Sequence, residues 1–291
     1  MRISEVWTLK GSHQRQRKNG TDTLGAIFGS TGGNPRGAIL AVPVDYVTDN
    51  FVITTAWQSD TRSLQFSYRG SLFQNENADL RWRNPFDNGQ WLNGSGYSDG
   101  AFGQMALSPD NQFHNVSLSG LYGFSDGSRL SGTVAMGCMQ QDEVFLPYSS
   151  VFSAASPLPA LSLQGDVRTL NASLNYATRL ASRLSLRARY TADVRDNDTR
   201  RHLYQRIPGD SAAQAALVSS NTRLNRPYSH GKQQIALDSV LRLSSARQLQ
   251  LSYQYDLKHR DFVAVDSVNE QSLGLKFRFP LPGAGSASVE L

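Results

Sequence analysis

The sequence predicts an all-β protein, an antiparallel, up-and-down β-barrel built to cross a membrane. Three observations carry that expectation: side chains alternate with a period of two, short links alternate with long ones, and aromatics at 10% accompany 24 glycines. A period of two belongs to a strand with unlike faces, because a helix gathers residues three and four apart on one side.

Taken in order, Phe51, Ile53, Thr55 and Trp57 share one face, with Val52, Thr54, Ala56 and Gln58 on the other. Beyond Ser59-Asp60, Leu64, Phe66 and Tyr68 alternate with Ser63, Gln65, Ser67 and Arg69, which completes a hairpin. The unit recurs. Val116, Leu118, Gly120 and Tyr122 lead through Ser125-Asp126-Gly127 into Leu130, Gly132, Val134 and Met136. Leu170, Ala172, Leu174 and Tyr176 are partnered by Leu184, Leu186, Ala188 and Tyr190, with Asn171, Ser173, Asn175, Ser185, Arg187 and Arg189 on the reverse face. Ile235, Leu237 and Leu241 meet Leu249, Leu251, Tyr253 and Tyr255. Leu273, Leu275, Phe277 and Phe279 alternate with Ser272, Gly274, Lys276 and Arg278 before a turn over 280–285.

The links decide between barrel and sandwich. Those within hairpins are short, whereas residues 70–112, 139–163, 192–232 and 257–269 form long ones. Tight periplasmic turns and extended external loops are the habit of outer-membrane barrels. Strands of about nine to eleven residues suffice to cross a bilayer when tilted. A soluble sandwich would use the apolar face as its core, but it does not sort its links in this way. Residues 1–291 therefore read as one barrel segment of about 11 to 13 strands with no separate domain. An alanine-rich stretch over 211–220 suggests a short helix inside a long loop. The first ten residues lack a leader's basic and apolar segments, and Ser286 to Leu291 read as an interrupted strand, so both ends are expected to be cut.

Composition excludes several classes. Hydrophobic residues make up 39%, mean hydropathy is −0.40, and the longest apolar run, near Gly37 to Val44, is far below the roughly 20 residues of a membrane helix. One cysteine, Cys138, makes no internal disulfide, Cys-based zinc site or c-type haem attachment, so any redox centre must come from a partner. The net charge of +5 and pI near 9.4 raise the question of nucleic acid. The basic residues read as spread along the chain rather than gathered on one face, and no nucleic-acid partner is expected.

No catalytic, cofactor-binding or metal-ligating set is expected, and no enzyme. There is no G-x-S-x-G or compact Ser/His/Asp group. His13, His114, His202, His230 and His259 are isolated. Asp193, Asp196, Asn197 and Asp198 lack the spacing of a calcium loop and read as solvated charge. Arg69, Arg187, Arg189, Arg242, Lys276 and Arg278 fall on the polar faces, where they would line a lumen and attract acidic surfaces.

Several stretches go further. Ala41 to Phe86 contains AVPVDYVTDNF and SYRGSLFQNENADLRWRNPF; residues 103–120 read GQMALSPDNQFHNVSLSG; residues 137–148 read GCMQQDEVFLPY; and Leu170 to Asp198 forms one hairpin, LNASLNYATRLASRLSLRARYTADVRDND. In that order they resemble the MtrB/PioB family of decahaem-associated outer-membrane β-barrel proteins. The resemblance implies an integral protein of the bacterial outer membrane, in contact with its lipid, that seats a periplasmic multihaem, decahaem c-type cytochrome. Electrons would then pass to or from the exterior, where a second multihaem cytochrome is a further implied partner. Haem would belong to the cytochrome, and the polar-face cations would meet its acidic surface or haem propionates. Asn75, Asn77, Trp82, Asn84, Pro85, Phe86, Asp142, Phe145 and Pro147 lie in the shared stretches and read as loop-shaping positions, since Asx side chains and proline form turns. Family members are about twice as long or more, start with a signal peptide and often carry a C-x-x-C pair absent here. A generic outer-membrane porin or transporter is the alternative reading.

Overall fold

The computed structural model describes residues 6–31, 34–83, 102–148, 157–205, 222–281 and 285–291. In chain order the strands are β1 (Trp7–Thr31), β2 (Asn34–Gln58), β3 (Arg62–Asn75), β4 (Asp79–Arg83), β5 (Phe102–Ala106), β6 (Asn111–Gly123), β7 (Arg129–Gln141) and β8 (Gly165–Ala181). They continue with β9 (Leu184–Asn197), β10 (Leu203–Gln205), β11 (Thr222–Leu224), β12 (His230–Arg242), β13 (Gln248–Arg260), β14 (Ser267–Leu281) and β15 (Gly285–Glu290). No helix occurs among the described residues. An 11-stranded antiparallel sheet runs β1-β2-β3-β6-β7-β8-β9-β12-β13-β14-β15, while β4-β5 and β10-β11 are separate hairpins. The sheet is open, with β1 and β15 at its edges.

Register carries the period of two across the whole sheet. Phe66 stands opposite Leu118, Leu118 opposite Val134, and Val134 opposite Ala172. Leu174 continues to Tyr190, Tyr190 to Ile235 and Ile235 to Tyr255. The apolar face is also the more exposed one, with Leu118 at 49%, Met136 at 56% and Leu273 at 70%. On the reverse face Ser117, Thr133, Ser173 and Thr191 are half-buried. This inverts the rule for a soluble protein and fits a curved sheet whose convex side meets lipid. The accessible surface, 19510 Å², exceeds the roughly 12,000 Å² expected of a globular protein of this mass, and among the described residues the buried hydrophobic ones are Val44, Leu80, Val167 and Ala192.

Aromatic side chains rim the apolar band. At the short-turn edge Trp7 is in register with Trp57, and the Tyr122 and Phe124 rings meet edge-on with centroids 4.7 Å apart. Arg62 lies over the Tyr122 ring at 4.5 Å and donates to its hydroxyl at 3.0 Å, keeping its charge at the rim. At the other edge the Tyr68 hydroxyl and His114 Nδ1 are 2.8 Å apart. Arg62 to Gly70 spans roughly 26 Å along β3, close to the ~25 Å height of a barrel's apolar band.

The strands begin earlier and run further than their sequence signal. The alternation in the sequence starts at Phe51, yet β1 and residues 34–50 of β2 precede it. From Lys10 to Thr23, β1 has no apolar side chain on either face, so this stretch carries no apolar period although each of its residues is paired with β2. At the long-loop end the other strands do the same. β9 reaches Asn197 and β12 starts at His230, which shortens the link expected over 192–232. The strict alternation of link lengths also has an exception. β1 and β2 are joined at the long-loop end by residues 32–33 alone, because the strands themselves supply the projection. Pairing of β2 with β3 stops at Tyr46 opposite Asn75, whereas β1 and β2 stay paired to Thr31 opposite Asn34. The paired arm so formed extends roughly 40 Å at ~3.3 Å per residue. The helix expected over 211–220 lies outside the described residues.

Candidate partner-facing surface

The polar face is built strand by strand from the side chains opposite the lipid-facing ones. Its middle is lined by short hydroxyl contacts across strands, Thr54 to Ser67 and Ser119 to Thr133, each 3.0 Å. Toward the long-loop end Asp256, only 8% exposed, accepts from Gln234 at 2.9 Å and from Gln254 at 2.5 Å. Asn171 donates to Asp193 at 2.7 Å, and Lys258 pairs with Glu270 at 2.8 Å. This half of the face is cross-linked and close to neutral.

The other half is not. Arg187 stands opposite Ala177 and Asp238, and Arg189 opposite Asn175 and Ala236. Arg242 and Arg278 flank Gln248, one on each side, and Lys276 pairs with Glu290 at 3.0 Å. Five of the six residues singled out from sequence, Arg187, Arg189, Arg242, Lys276 and Arg278, are thus brought together near the short turns. Arg69, opposite Val52 and Asn115, lies apart from them on β3. Two further residues of the cluster escaped the sequence reading. Arg129, opposite Ala177, and Arg179, opposite Ser185, have the same strand parity as the others, and extending the alternation to the strand ends would have found them.

The basic residues are therefore not spread evenly over the faces. Within the sheet they concentrate on the polar side, where Arg195, Lys232, Lys258 and Arg260 join the residues above. Sequence spacing hides this, because a strand delivers only alternate residues to a face and the next strand resumes many positions later.

The shared-stretch positions do a different job. Asn75 accepts from the Asn77 amide at 3.1 Å and donates through Nδ2 to the Ser108 carbonyl at 2.9 Å, while its own amide donates to Asp110. Trp82 packs over Gly103, where an added Cβ would collide with the indole. Asp142 accepts from the Ser162 hydroxyl. The Pro147 carbonyl accepts from Gln104 Nε2 at 2.8 Å, and the Tyr148 hydroxyl accepts from the Gln205 amide at 3.0 Å. Phe145 meets Tyr204 edge-on at 5.8 Å. Burial, with Tyr148 nearby, pushes the Tyr204 phenol above its ordinary value. These contacts tie β4-β5, residues 142–148 and β10-β11 into one layer at the long-loop end. Asn84, Pro85 and Phe86 lie outside the described residues.

Among the described residues, no group of three or more His, Cys, Asp or Glu is placed to hold a metal. Asp193, in register with Lys232, is on the polar face, whereas Asp196, in register with Arg168, is on the opposite one. His13 stacks on Phe51 at 4.7 Å and contacts Asp49 at 2.8 Å, with Arg15 on the same carboxylate.

A family model described as "Putative outer membrane beta-barrel porin, MtrB/PioB" matches residues 1–290. The chain is 26% identical over 274 residues to outer membrane protein MtrB of Shewanella baltica, which covers 94% of this chain and 36% of the relative. It thus spans about a third of that relative's length. Among solved structures, the FrpB iron transporter of Neisseria meningitidis aligns over 99% of this chain and 42% of its own, with TM-score 0.47 and 11% identity. A FadL homologue of Pseudomonas aeruginosa aligns over 99% and 66%, with TM-score 0.34 and 11% identity.

Proposed function

Because the chain belongs to the MtrB/PioB family of outer-membrane β-barrel porins, we propose that it forms part of a sleeve around a periplasmic multihaem c-type cytochrome, through which electrons cross the outer membrane. The observation that carries the reading is the division of the sheet into an exposed apolar face and an opposite polar face rich in arginines outside any ion pair. A hydrocarbon layer of roughly 30 Å excludes both bare charge and soluble redox proteins, so a chain of haems within it needs a wall that is apolar outside and polar inside. The division of labour follows from residue inventory. With Cys138 as its lone cysteine, the chain has no c-type haem attachment of its own, and the haems belong to the partner. The sleeve insulates and positions, and it performs no chemistry. An electron acceptor, donor or second cytochrome at the outer surface would meet the layer formed by β4-β5, residues 142–148 and β10-β11.

The test is to purify the protein from its native outer membrane in mild detergent and stain the complex for covalent haem. A stoichiometric haem-bearing polypeptide is expected. Pure barrel with no haem, from cells that make multihaem cytochromes, would favour an open porin instead.

A further inference from the structure

From the polar face we infer a docking collar at the short-turn mouth, formed by Arg129, Arg179, Arg187, Arg189, Arg242 and Arg278, that seats an acidic protein surface. The inference rests on the sleeve reading and gives that partner a chemistry and a place. Among the described residues none of these six arginines is in an ion pair, although Asp238 stands in register with Arg187. All six are exposed. The opposite half of the same face cross-links its charges, as Lys258 does with Glu270 at 2.8 Å. Like charges one or two strands apart repel one another, and the wall of a barrel offers them less water than a free surface. An anionic occupant removes that repulsion.

Size distinguishes a protein from a small anion. The six residues run from β7 to β14, which is five strand spacings or roughly 24 Å at ~4.8 Å each. Along β12 the patch extends from the Arg189 row at Ala236 to Arg242, roughly 20 Å at ~3.3 Å per residue. The resulting area, on the order of 480 Å², is more than half of what one partner contributes to a standard protein interface. The arginines also lie in successive rows and do not converge on one point, so a phosphate-sized ion reaches one or two of them, whereas an acidic protein face engages all. Short turns mark the periplasmic side in this architecture, so the collar faces the compartment from which a periplasmic partner arrives.

The experiment uses the affinity-tagged protein purified from native outer membranes and washed from roughly 0.1 to 1 M NaCl, where the screening length falls from about 10 to about 3 Å. Retained covalent haem is the readout. Three variants accompany the native protein: Arg129→Gln with Arg179→Gln and Arg187→Gln; the same three positions changed to Lys; and Arg200→Gln with Arg201→Gln and Arg223→Gln at the far end. Heat-modifiable gel migration verifies that each is assembled. The first variant is expected to retain roughly tenfold less haem at low salt, as the loss of three exposed charge contacts implies, while the Lys and far-end variants match the native protein. Identical salt curves for native and Gln proteins overturn the collar and leave the sleeve reading standing. No haem on the native protein overturns both. Anion preference of the bare barrel in planar bilayers that vanishes in the Gln variant, with haem retention unchanged, overturns the collar in favour of small anions.

Discussion

Ser173 and Leu174 are adjacent in the chain and face opposite solvents. Leu174, 44% exposed, lies in register with Gly132 and Tyr190 in the apolar band, and Ser173 lies with Thr133 and Thr191 on the polar face. Gly132 leaves room for the Leu174 side chain, which lies where a Cβ would sit. Leu174→Arg is therefore expected to impair assembly far more than Ser173→Arg. Arginine on the lipid face costs about 2–4 kcal/mol near the midplane, whereas the polar face accepts it. Folded yield in outer membranes, read by heat-modifiable migration, checks this. Equal yields, or the reverse order, would mean that the faces are exchanged.

The turn from β6 to β7 is held by Asp126, whose Oδ1 accepts from Ser128 Oγ at 2.6 Å and from the Ser128 amide at 2.9 Å, next to Gly127 at φ 83°. The Ser128 hydroxyl, then its N–H, holds the carboxyl below its ordinary range. A carboxylate whose folded pKa is depressed contributes stability above its unfolded pKa, and the contribution is lost as pH falls through the folded value. Asp126→Ala is therefore expected to lower resistance to denaturant at neutral pH and to match the native protein in strong acid. An equal deficit at every pH would show that the turn depends on shape rather than on the charge.

At the long-loop end, Phe145 against Tyr204 and Gln104 against the Pro147 carbonyl join segments far apart in sequence. An edge-on aromatic pair contributes about 0.5–1.5 kcal/mol beyond its buried area. Phe145→Ala is expected to open this layer without unfolding the sheet, so protease added to whole cells should cut near residues 142–164 several-fold faster while the membrane-embedded strands stay protected. Unchanged cutting would show that the layer is held by its other contacts.

The sheet was legible in the sequence wherever lipid and lumen demand different side chains. Leu170, Ala172, Leu174 and Tyr176 announce β8 because the bilayer requires them. Outside the bilayer that demand disappears. Arg15 and Arg17 pair with Asp49 and Asp45 in the stretch of β1 from Lys10 to Thr23, which has no apolar side chain on either side, and nothing in their spacing marks them as β. The arginine cluster was half legible. Arg187 and Arg189 stand inside a clear alternation, but Arg129 and Arg179 sit at strand ends, where the alternation gives way to turn residues. Cross-strand register, which sets Arg242 and Arg278 around Gln248, depends on link lengths and bulges such as the one between Arg179 and Ala181, and no single strand encodes it. The outer layer was least legible. Trp82 over Gly103 and Phe145 against Tyr204 are tertiary contacts between links, and short motifs identify such residues without saying what they touch.

The sleeve reading makes a further claim about transport of charge, which vesicles can test in four arms: protein alone, cytochrome alone, both and neither. The cytochrome is the haem-bearing polypeptide that accompanies the protein from its native membrane. With both present, an external reductant is expected to reduce a dye trapped inside, at a rate well above the other arms. Protein alone has no electron path, since one cysteine holds no haem chain. Cytochrome alone has no way across, because its polar surface would face hydrocarbon directly. Leakage of a small uncharged solute is measured in parallel, and it should fall when the cytochrome fills the lumen. If protein-only vesicles leak freely and added cytochrome changes neither leakage nor dye reduction, the lumen is an open pore. The unpaired arginines of its polar face would then serve permeating anions.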